Sequence, residues 1–348
     1  MVNQLARLRN TQSGAFGIIL LLAVVTAALG VSVRAQQCDI NQGGLGFFVQ
    51  IAIQGLANGA VYALIALGYT MVYGIIELIN FAHGDVFTLG AFISLPLLGV
   101  FGLTEGKAFT VVTAVLLVVV LVVVMVITGG INVLIERVAY RPLRNSPRLA
   151  PLITAVGMSF TLEGIMFLWR GPFNLHYPDI LPATQIRLIG NAVVGVKDIA
   201  VVGLAVVLVV ALSLFINRSK LGKAMRATAQ DRDAAQLMGI DINRTISATF
   251  FIGAVLAAAG GIVYGLYFNT VDFQLGFTAG LFAFTAAVFG GIGNIQGAAL
   301  GGLIIGVLTA YNDGYCSGKW TQVLVFGILI LVLVFRPTGL LGTQVADK

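Results

Sequence analysis

The sequence predicts an all-α, polytopic transmembrane helical bundle with about ten membrane segments. Hydrophobic residues make up 58% of the 348-residue chain and charged residues only 10%, whereas soluble domains carry roughly 25% charged residues. The apolar runs are continuous and about 15 to 25 residues long, as membrane helices require. A transmembrane β-barrel would instead show alternating segments of about 10 residues. The composition therefore excludes a soluble globule and favours helices over a barrel.

Ten apolar runs follow one another along the chain. The runs 279–291 and 298–310 are shorter than the roughly 20 residues that a full span needs, which predicts half-length or tilted helices. Glycines and two side-chain amides separate this pair, a composition typical of broken backbone at membrane depth that lines a protected cavity. The ten runs are residues 16–33, 47–68, 86–101, 111–130, 151–169, 199–216, 246–268, 279–291, 298–310 and 323–335.

The first apolar run, 16–33, has two interpretations. It is either a signal peptide cleaved after Ala35 or an uncleaved first span, and Arg34 beside the cleavage position favours the uncleaved helix. Both interpretations place Cys38 outside the cell, and alternation of the spans places Cys316 there too. Because disulfides form in that compartment, a bridge between Cys38 and Cys316 is a hypothesis.

The basic residues predict the orientation of the chain. Loops 136–148 and 218–244 together hold half of the 20 Lys and Arg residues, and strict alternation of the spans puts both loops on one side. Cytoplasmic loops are enriched in Lys and Arg, so both termini are predicted to be cytoplasmic and loop 171–198 extracytoplasmic. This bias accounts for the net charge of +6 without a nucleic-acid partner.

A weak internal repeat links residues 72–80 with residues 288–296. Both stretches read Val, aromatic, Gly, a short spacer, and then Ile followed by a side-chain amide. Such a match favours two duplicated halves running toward the same face of the membrane. Chance similarity between Gly- and Ile-rich segments is the alternative.

Residues 68–85 place three ionisable groups, Glu77, His83 and Asp85, in an apolar setting. Ionisable groups at membrane depth are costly and usually functional, although groups at the boundary need no such explanation. His83 is either a structural hydrogen-bonding residue or a ligand contact or proton relay. Asp85 could cap the following helix. One histidine with carboxylates at mixed spacing does not make a zinc site, so no metal is predicted.

Residues 226–240 predict a short helix outside the membrane. Asp231 or Thr228 can cap it, Ala and Leu favour it, and Gly239 can end it in the left-handed conformation. Small residues on this helix would let another protein approach closely, whereas an ordinary solvated linker is the alternative.

Four stretches resemble the branched-chain amino-acid ABC permeases, the membrane subunits of leucine, isoleucine and valine importers. They are residues 68–84, with GYTMVYGI and INFAHG, 135–142, 284–293 and 336–340. The likeness runs collinearly from about Phe47 to Gly342. It divides the chain into an N-terminal extension, 1–45, an ABC importer permease domain, 46–342, and a cytoplasmic tail, 343–348.

The resemblance implies partners and a role for the short helix. The partners are two ATP-binding cassette subunits, a second related permease, an extracytoplasmic amino-acid-binding protein and the lipid of the plasma (inner) membrane. The chain itself has no Gly-x-x-x-x-Gly-Lys-Ser/Thr phosphate loop, so it is expected to be no enzyme and to take no cofactor, with ATP used by the partner subunits. The family contacts its ATPases through a Glu-Ala-Ala…Gly loop, in which Asp replaces Glu here. The residues implied in ATPase coupling are Arg226, Asp231, Asp233, Ala234, Ala235 and Gly239.

The expected cargo is a branched-chain or other neutral amino acid, with urea or a short amide as the alternative. A secondary transporter coupled to ions, using Glu163 as a midplane carboxylate, remains a rival from a different class. The sequence shows no selectivity filter, which a passive channel would need. It also shows no paired nucleophile and base and no metal motif, which an intramembrane enzyme would need. Small polar residues at the broken segments are the pathway candidates: Gln54, Asn58, Tyr69, Tyr73, Asn80, His83, Thr285, Asn294 and Gln296.

Overall fold

A computed structural model describes residues 44–76, 79–144, 146–147, 149–187 and 192–342. These residues fall in one compact unit, Asn41–Lys348. Eleven α-helices form in the described ranges, and eight helical segments are long and apolar enough to cross a membrane. The predicted polytopic helical bundle is therefore confirmed. The run 16–33, Cys38 and the tail 343–348 lie outside the described residues.

The helices follow the apolar runs closely. Helix α1 continues well beyond its apolar run, through the GYTMVYGI motif to Ile76, because no proline or capping residue interrupts it. The helices are α1 Gly44–Ile76, α2 Ala82–Val100, α3 Val111–Ile135, α4 Leu149–Arg170, α5 Val196–Arg218, α6 Lys220–Gln230, α7 Arg232–Leu237, α8 Ile242–Phe268, α9 Leu275–Gly290, α10 Ile295–Tyr315 and α11 Thr321–Phe335. A π-helix, Glu136–Tyr140, and 3-10 turns at Arg141–Leu143 and Gly318–Trp320 complete the helical structure.

Four short strands lie in the loops at one end of the bundle. Strand β1 (Leu175–His176) pairs antiparallel with β4 (Thr270–Val271), and β2 (Gln185–Arg187) pairs antiparallel with β3 (Val193–Gly195). Helix α5 begins directly after β3 and leads to α6 and α7 at the opposite end. We call the end with the strands the loop end and the end with α6 and α7 the helix-pair end.

Glycines let the central helices approach one another closely. Helix α1 packs along α10, where a Cβ on Gly59 would lie 2.7 Å from Leu303 Cα and one on Gly302 would lie 2.5 Å from Ala63 Cα. Small residues drive such packing because lipid supplies no hydrophobic force between helices. Helix α1 is thereby held in the interior. The large apolar side chains of α3, α4, α5 and α11 face outward.

The predicted break between α9 and α10 is present, with φ of +111° at Gly291 and +91° at Gly293. Helix α9 is short, with 16 residues, whereas α10 has 21 and is longer than the predicted segment because its glycines and amide lower the hydropathy without interrupting the helix. The break was expected at membrane depth but lies at the helix-pair end. A Cβ on Gly74, two residues before α1 ends, would lie 3.4 Å from Gly293 Cα.

The chain's own residues 338–342 cover this break. The backbone N–H groups of Leu340 and Leu341 donate to the carbonyls of Phe289 and Gly290, at 2.8 and 2.9 Å. These carbonyls are among the last of α9 and have no partner within that helix. Residues 72–76 and 288–290, from the two stretches of the predicted repeat, both lie in the last turns of helices that end at the helix-pair end. The repeat itself stays a prediction.

Candidate substrate pathway and coupling helices

The short helix predicted within residues 226–240 is α7, and its caps are those expected. The Oδ1 atom of Asp231 accepts hydrogen bonds from the backbone N–H groups of Asp233 and Ala234, both at 3.0 Å. Gly239 takes a φ of +83° just after the helix. Thr228, the alternative cap, instead donates to Ala224 O within the preceding helix α6.

Arg226 lies on α6 and not on α7. Its guanidinium donates to the carbonyl of Ile216, near the end of α5. Gly222 packs directly over the same residue, and a Cβ there would overlap the Ile216 backbone. Helix α6 is therefore tied to the end of a membrane helix, while α7 projects beyond it. The side chains of Leu237 and Met238, at the end of α7, are 89% and 83% exposed.

Arg232 connects α7 to the central helix α1, a contact that the sequence did not reveal. Its Nη2 donates to the carbonyls of Ile75 at 3.1 Å and Ile76 at 2.9 Å. These are the last two residues of α1, whose terminal carbonyls have no partner within the helix. Arg232 therefore joins α7 directly to the helix that carries Tyr69 and Tyr73.

A cavity of about 510 Å³ lies between α6, α7 and the ends of α1 and α3. Glu136, in the π-helix, is fully buried beside it and accepts hydrogen bonds from Arg144 and from Ser247 Oγ, the latter at 2.6 Å. Arg144 also donates to Asn243 Oδ1 at 2.7 Å. Burial lowers the pKa of the Arg144 guanidinium from its usual value, and the charge of Glu136 opposes that shift.

An aromatic cluster occupies the interior near the start of α2. The ring of His83, which is fully buried, lies 4.9 Å from that of Tyr69, and Tyr69 lies 6.0 Å from Phe284 on α9. Tyr69 and His83, two pathway candidates, are thus brought together where α1, α2 and α9 meet. Tyr73 lies one helical turn further along α1 and is partly buried.

Asp85 does not cap a helix, so that prediction was wrong. Helix α2 begins at Ala82, which places Asp85 inside its first turn, and its carboxylate is fully buried. Asp85 Oδ2 accepts a hydrogen bond from Ser159 Oγ on α4. Its side chain connects two membrane helices.

The remaining candidates toward the helix-pair end have separate surroundings. Asn80 Oδ1 accepts from Tyr140 Oη at 2.8 Å, and Thr285 Oγ1 donates to Leu281 O within its own helix. Asn294 caps α10 by accepting from the N–H groups of Gln296 and Gly297. Its Nδ2 donates to Leu341 O at 2.8 Å, and Gln296 is exposed. The structure therefore gives Asn294 a part in closing the helix break.

Gln54 and Asn58 line a second cavity, of about 540 Å³, at the loop end. The neighbouring Gln50 Oε1 accepts from Val193 N at 2.6 Å and so attaches strand β3 to α1. Lys197 and Asp198, at the start of α5, also line the cavity. Both residues fall in the predicted loop 171–198, and their position directly before the apolar run 199–216 is the signal that could have marked them.

Tyr177 anchors the loop end to the bundle. Its side chain is fully buried, and its Oη lies 2.7 Å from Ser94 Oγ on α2. Burial raises the pKa of Tyr177 above its usual value, so the phenol remains neutral. The ring packs over Gly265, where any Cβ would lie about 2.5 Å from it. The loop between α4 and α5 is therefore fixed to the membrane helices.

Cys316 directly follows α10, whereas Cys38 lies outside the described residues. The predicted bridge between them stays a prediction.

A bundle with polar cavities at both ends and a helix pair projecting from one of them has the architecture of a membrane transport subunit. The chain matches the family described as "Branched-chain amino acid transport system / permease component" over residues 51–334. The chain therefore belongs to this family of permeases.

Several named relatives span nearly the same length. The high-affinity branched-chain amino acid transport system permease protein BraD of Pseudomonas aeruginosa is 41% identical over 307 residues, 86% of this chain and 98% of that protein. The corresponding protein LivH of Escherichia coli is 40% identical over 310 residues, 87% and 98% of the two chains. A probable branched-chain amino acid transport permease, LivH of Methanocaldococcus jannaschii, is 30% identical over 297 residues, 81% and 88% of the two chains. No solved structure matches the chain.

Proposed function

We propose that this chain is the membrane-spanning permease subunit of an ATP-driven importer that carries branched-chain or other neutral amino acids into the cytoplasm. The contact from Arg232 to the last carbonyls of α1 carries this proposal. Through this contact, a partner bound to α7 acts directly on the central helix α1. The names of the relatives support the cargo.

The helix-pair end faces the cytoplasm in this proposal. Arg137, Arg141, Arg144 and Arg244 lie there, at the ends of α3 and α8, and cytoplasmic loops attract such residues. The loop end is then extracytoplasmic, and the C-terminal segment after α11 is cytoplasmic. The N-terminus is cytoplasmic if run 16–33 is an uncleaved span. The protein resides in the plasma (inner) membrane.

The partners follow from this orientation. Two ATPase subunits hydrolyse ATP, one of them seated on α7, where exposed Leu237 and Met238 offer an apolar contact beside the charge of Asp233. Both side chains lie outside the candidate membrane spans, so lipid does not cover them. A second permease completes the pathway, a binding protein docks at the loop end, and the chain itself takes no cofactor.

The pathway enters by the loop-end cavity and passes the aromatic cluster. Gln54 and Asn58 lie at its entrance, and Tyr69 and His83 lie in the interior. Tyr73, Asn80 and Thr285 follow toward the cytoplasm, and Asn294 and Gln296 lie at its cytoplasmic end.

The test is uptake of labelled leucine, alanine and urea by cells with and without this gene. Uptake is measured before and after ATP depletion while the proton gradient is maintained. We expect gene-dependent amino-acid uptake that collapses with ATP. Uptake that follows the proton gradient would instead indicate an ion-coupled transporter. Preferential uptake of urea would indicate that urea, and not an amino acid, is the cargo.

A further inference from the structure

The loop-end cavity carries charged and polar groups suited to the two ends of an amino acid. It is lined by α1, by the β2–β3 hairpin, by the start of α5 and by the end of α8. Its volume of about 540 Å³ is within the range of small-molecule sites, about 300 to 1,000 Å³. The inference below rests on the proposed function and specifies how the cargo is recognised.

Lys197 supplies a cation at this cavity. Its ammonium donates to Asp179 Oδ1 at 2.8 Å and to Asn269 Oδ1 at 3.0 Å. A lysine ammonium has three donors, so one N–H remains for a ligand after these two bonds. The two partners fix the position of the ammonium. Asn269 itself takes the left-handed conformation at the end of α8. Lys197 is thus a positioned donor for a carboxylate.

Asn58 supplies an acceptor. It lines the same cavity from α1, and its buried Oδ1 has no hydrogen-bond partner among the described residues. Leaving a buried polar atom without a partner costs free energy. A ligand N–H that reached this oxygen would recover that free energy.

Asp198 adds negative charge to the same cavity. Its carboxylate lines the cavity and is held by Tyr267 Oη at 2.7 Å and by Gly195 N at 2.8 Å. The two bonds fix Asp198 in place, and its charge favours a cation nearby. The cavity thus combines one positioned cation, an amide acceptor and a carboxylate, while Phe268 and Val193 supply apolar walls.

We propose that this cavity is a docking site for α-amino acids, in which Lys197 binds the α-carboxylate and Asn58 Oδ1 accepts from the α-ammonium. The site recognises the α-ammonium and α-carboxylate that neutral amino acids share, and the apolar walls contact the side chain. Urea and short amides have neither charge and are selected against. A permease that depended wholly on its binding protein for recognition would need no such site.

The test is equilibrium binding of labelled leucine to the purified complex of permease and ATPases in lipid nanodiscs, without the binding protein. Two competitors each lack one end of the head: leucinamide lacks the carboxylate, and 4-methylpentanoate lacks the ammonium. Because hydrogen bonds to charged groups contribute about 1.5 to 3 kcal/mol, leucine is expected to bind at least about tenfold more tightly than either analogue.

Two variants assign the two ends. Asn58→Leu is expected to abolish the preference for leucine over 4-methylpentanoate while retaining the preference over leucinamide. Lys197→Met is expected to show the reverse pattern, and Lys197→Arg to keep part of the preference over leucinamide. The matched control is Asn217→Leu, an exposed amide at the other end of α5, which should bind like the parent. Thermal unfolding of each variant checks that it is folded. If Lys197→Met unfolds because it loses the contact with Asp179, the test rests on Asn58→Leu.

The proposal is overturned if the parent complex binds leucine and both analogues equally, or if neither variant changes its own preference. The proposed function fails separately, when cells that contain the parent chain show no ATP-dependent uptake of any neutral amino acid. Intact uptake with unchanged preferences would therefore refute the docking site and leave the importer standing.

Discussion

Replacing Arg232 with Met should uncouple α7 from the pathway. The substitution keeps a long unbranched side chain but removes both hydrogen bonds to the carbonyls of Ile75 and Ile76. Each bond from a charged donor contributes about 1.5 to 3 kcal/mol. Because Arg232 is half-buried and one nitrogen serves both carbonyls, we take the lower value, about 3 kcal/mol for the pair. That corresponds to about a hundredfold in the equilibrium that links α7 to α1.

The assay is the number of amino acids transported per ATP hydrolysed in proteoliposomes that hold the complete importer. Arg232→Met is expected to lower this ratio by tenfold or more, because ATPase movement no longer reaches α1. Arg218→Met removes the same charge from an exposed position near the end of α5 and should keep the parental ratio. An unchanged ratio in Arg232→Met would refute the coupling role of this contact.

Two further variants test the stability of the bundle. Glu136→Gln leaves Arg144 without its buried counter-charge and should lower the free energy of unfolding by about 3 kcal/mol, measured by thermal unfolding in detergent. The double variant Glu136→Gln/Arg144→Met should recover most of this stability. If it recovers none, the ion pair is not the cause of the loss. Gly59→Val forces a side chain against the backbone of Leu303 and should cost about 1 to 3 kcal/mol. Gly203→Val, on an open face of α5, should be neutral, and equal losses in the two glycine variants would contradict the close helix approach.

The membrane helices could be predicted from sequence because lipid imposes a length and a composition on each span separately. The caps of α7 were equally local: Asp231 lies directly before the helix and Gly239 two residues after its end. Both kinds of feature depend on residues close together in the sequence: a continuous run for each span and a few neighbouring residues for each cap. The resemblance to known permeases added the partners, which no local pattern reveals.

The features that the sequence did not reveal join residues far apart in the chain. Arg232 meets Ile75 and Ile76 across more than 150 positions, and nothing in either segment marks the other. Asp85 could be recognised as an ionisable group in an apolar setting, but its bond to Ser159 depends on how α2 packs against α4. The same holds for Lys197, whose partners come from a loop and from the end of α8.

The contact of residues 338–342 with the end of α9 bears on how the protein is made. Leu340 is synthesised 50 residues after Gly290, when α10 and α11 have already emerged. Until then the last carbonyls of the 16-residue helix α9 have neither an intrahelical partner nor this segment. The hydrogen bonding at the end of helix α9 is thus completed late in biosynthesis, by residues that follow it by two helices.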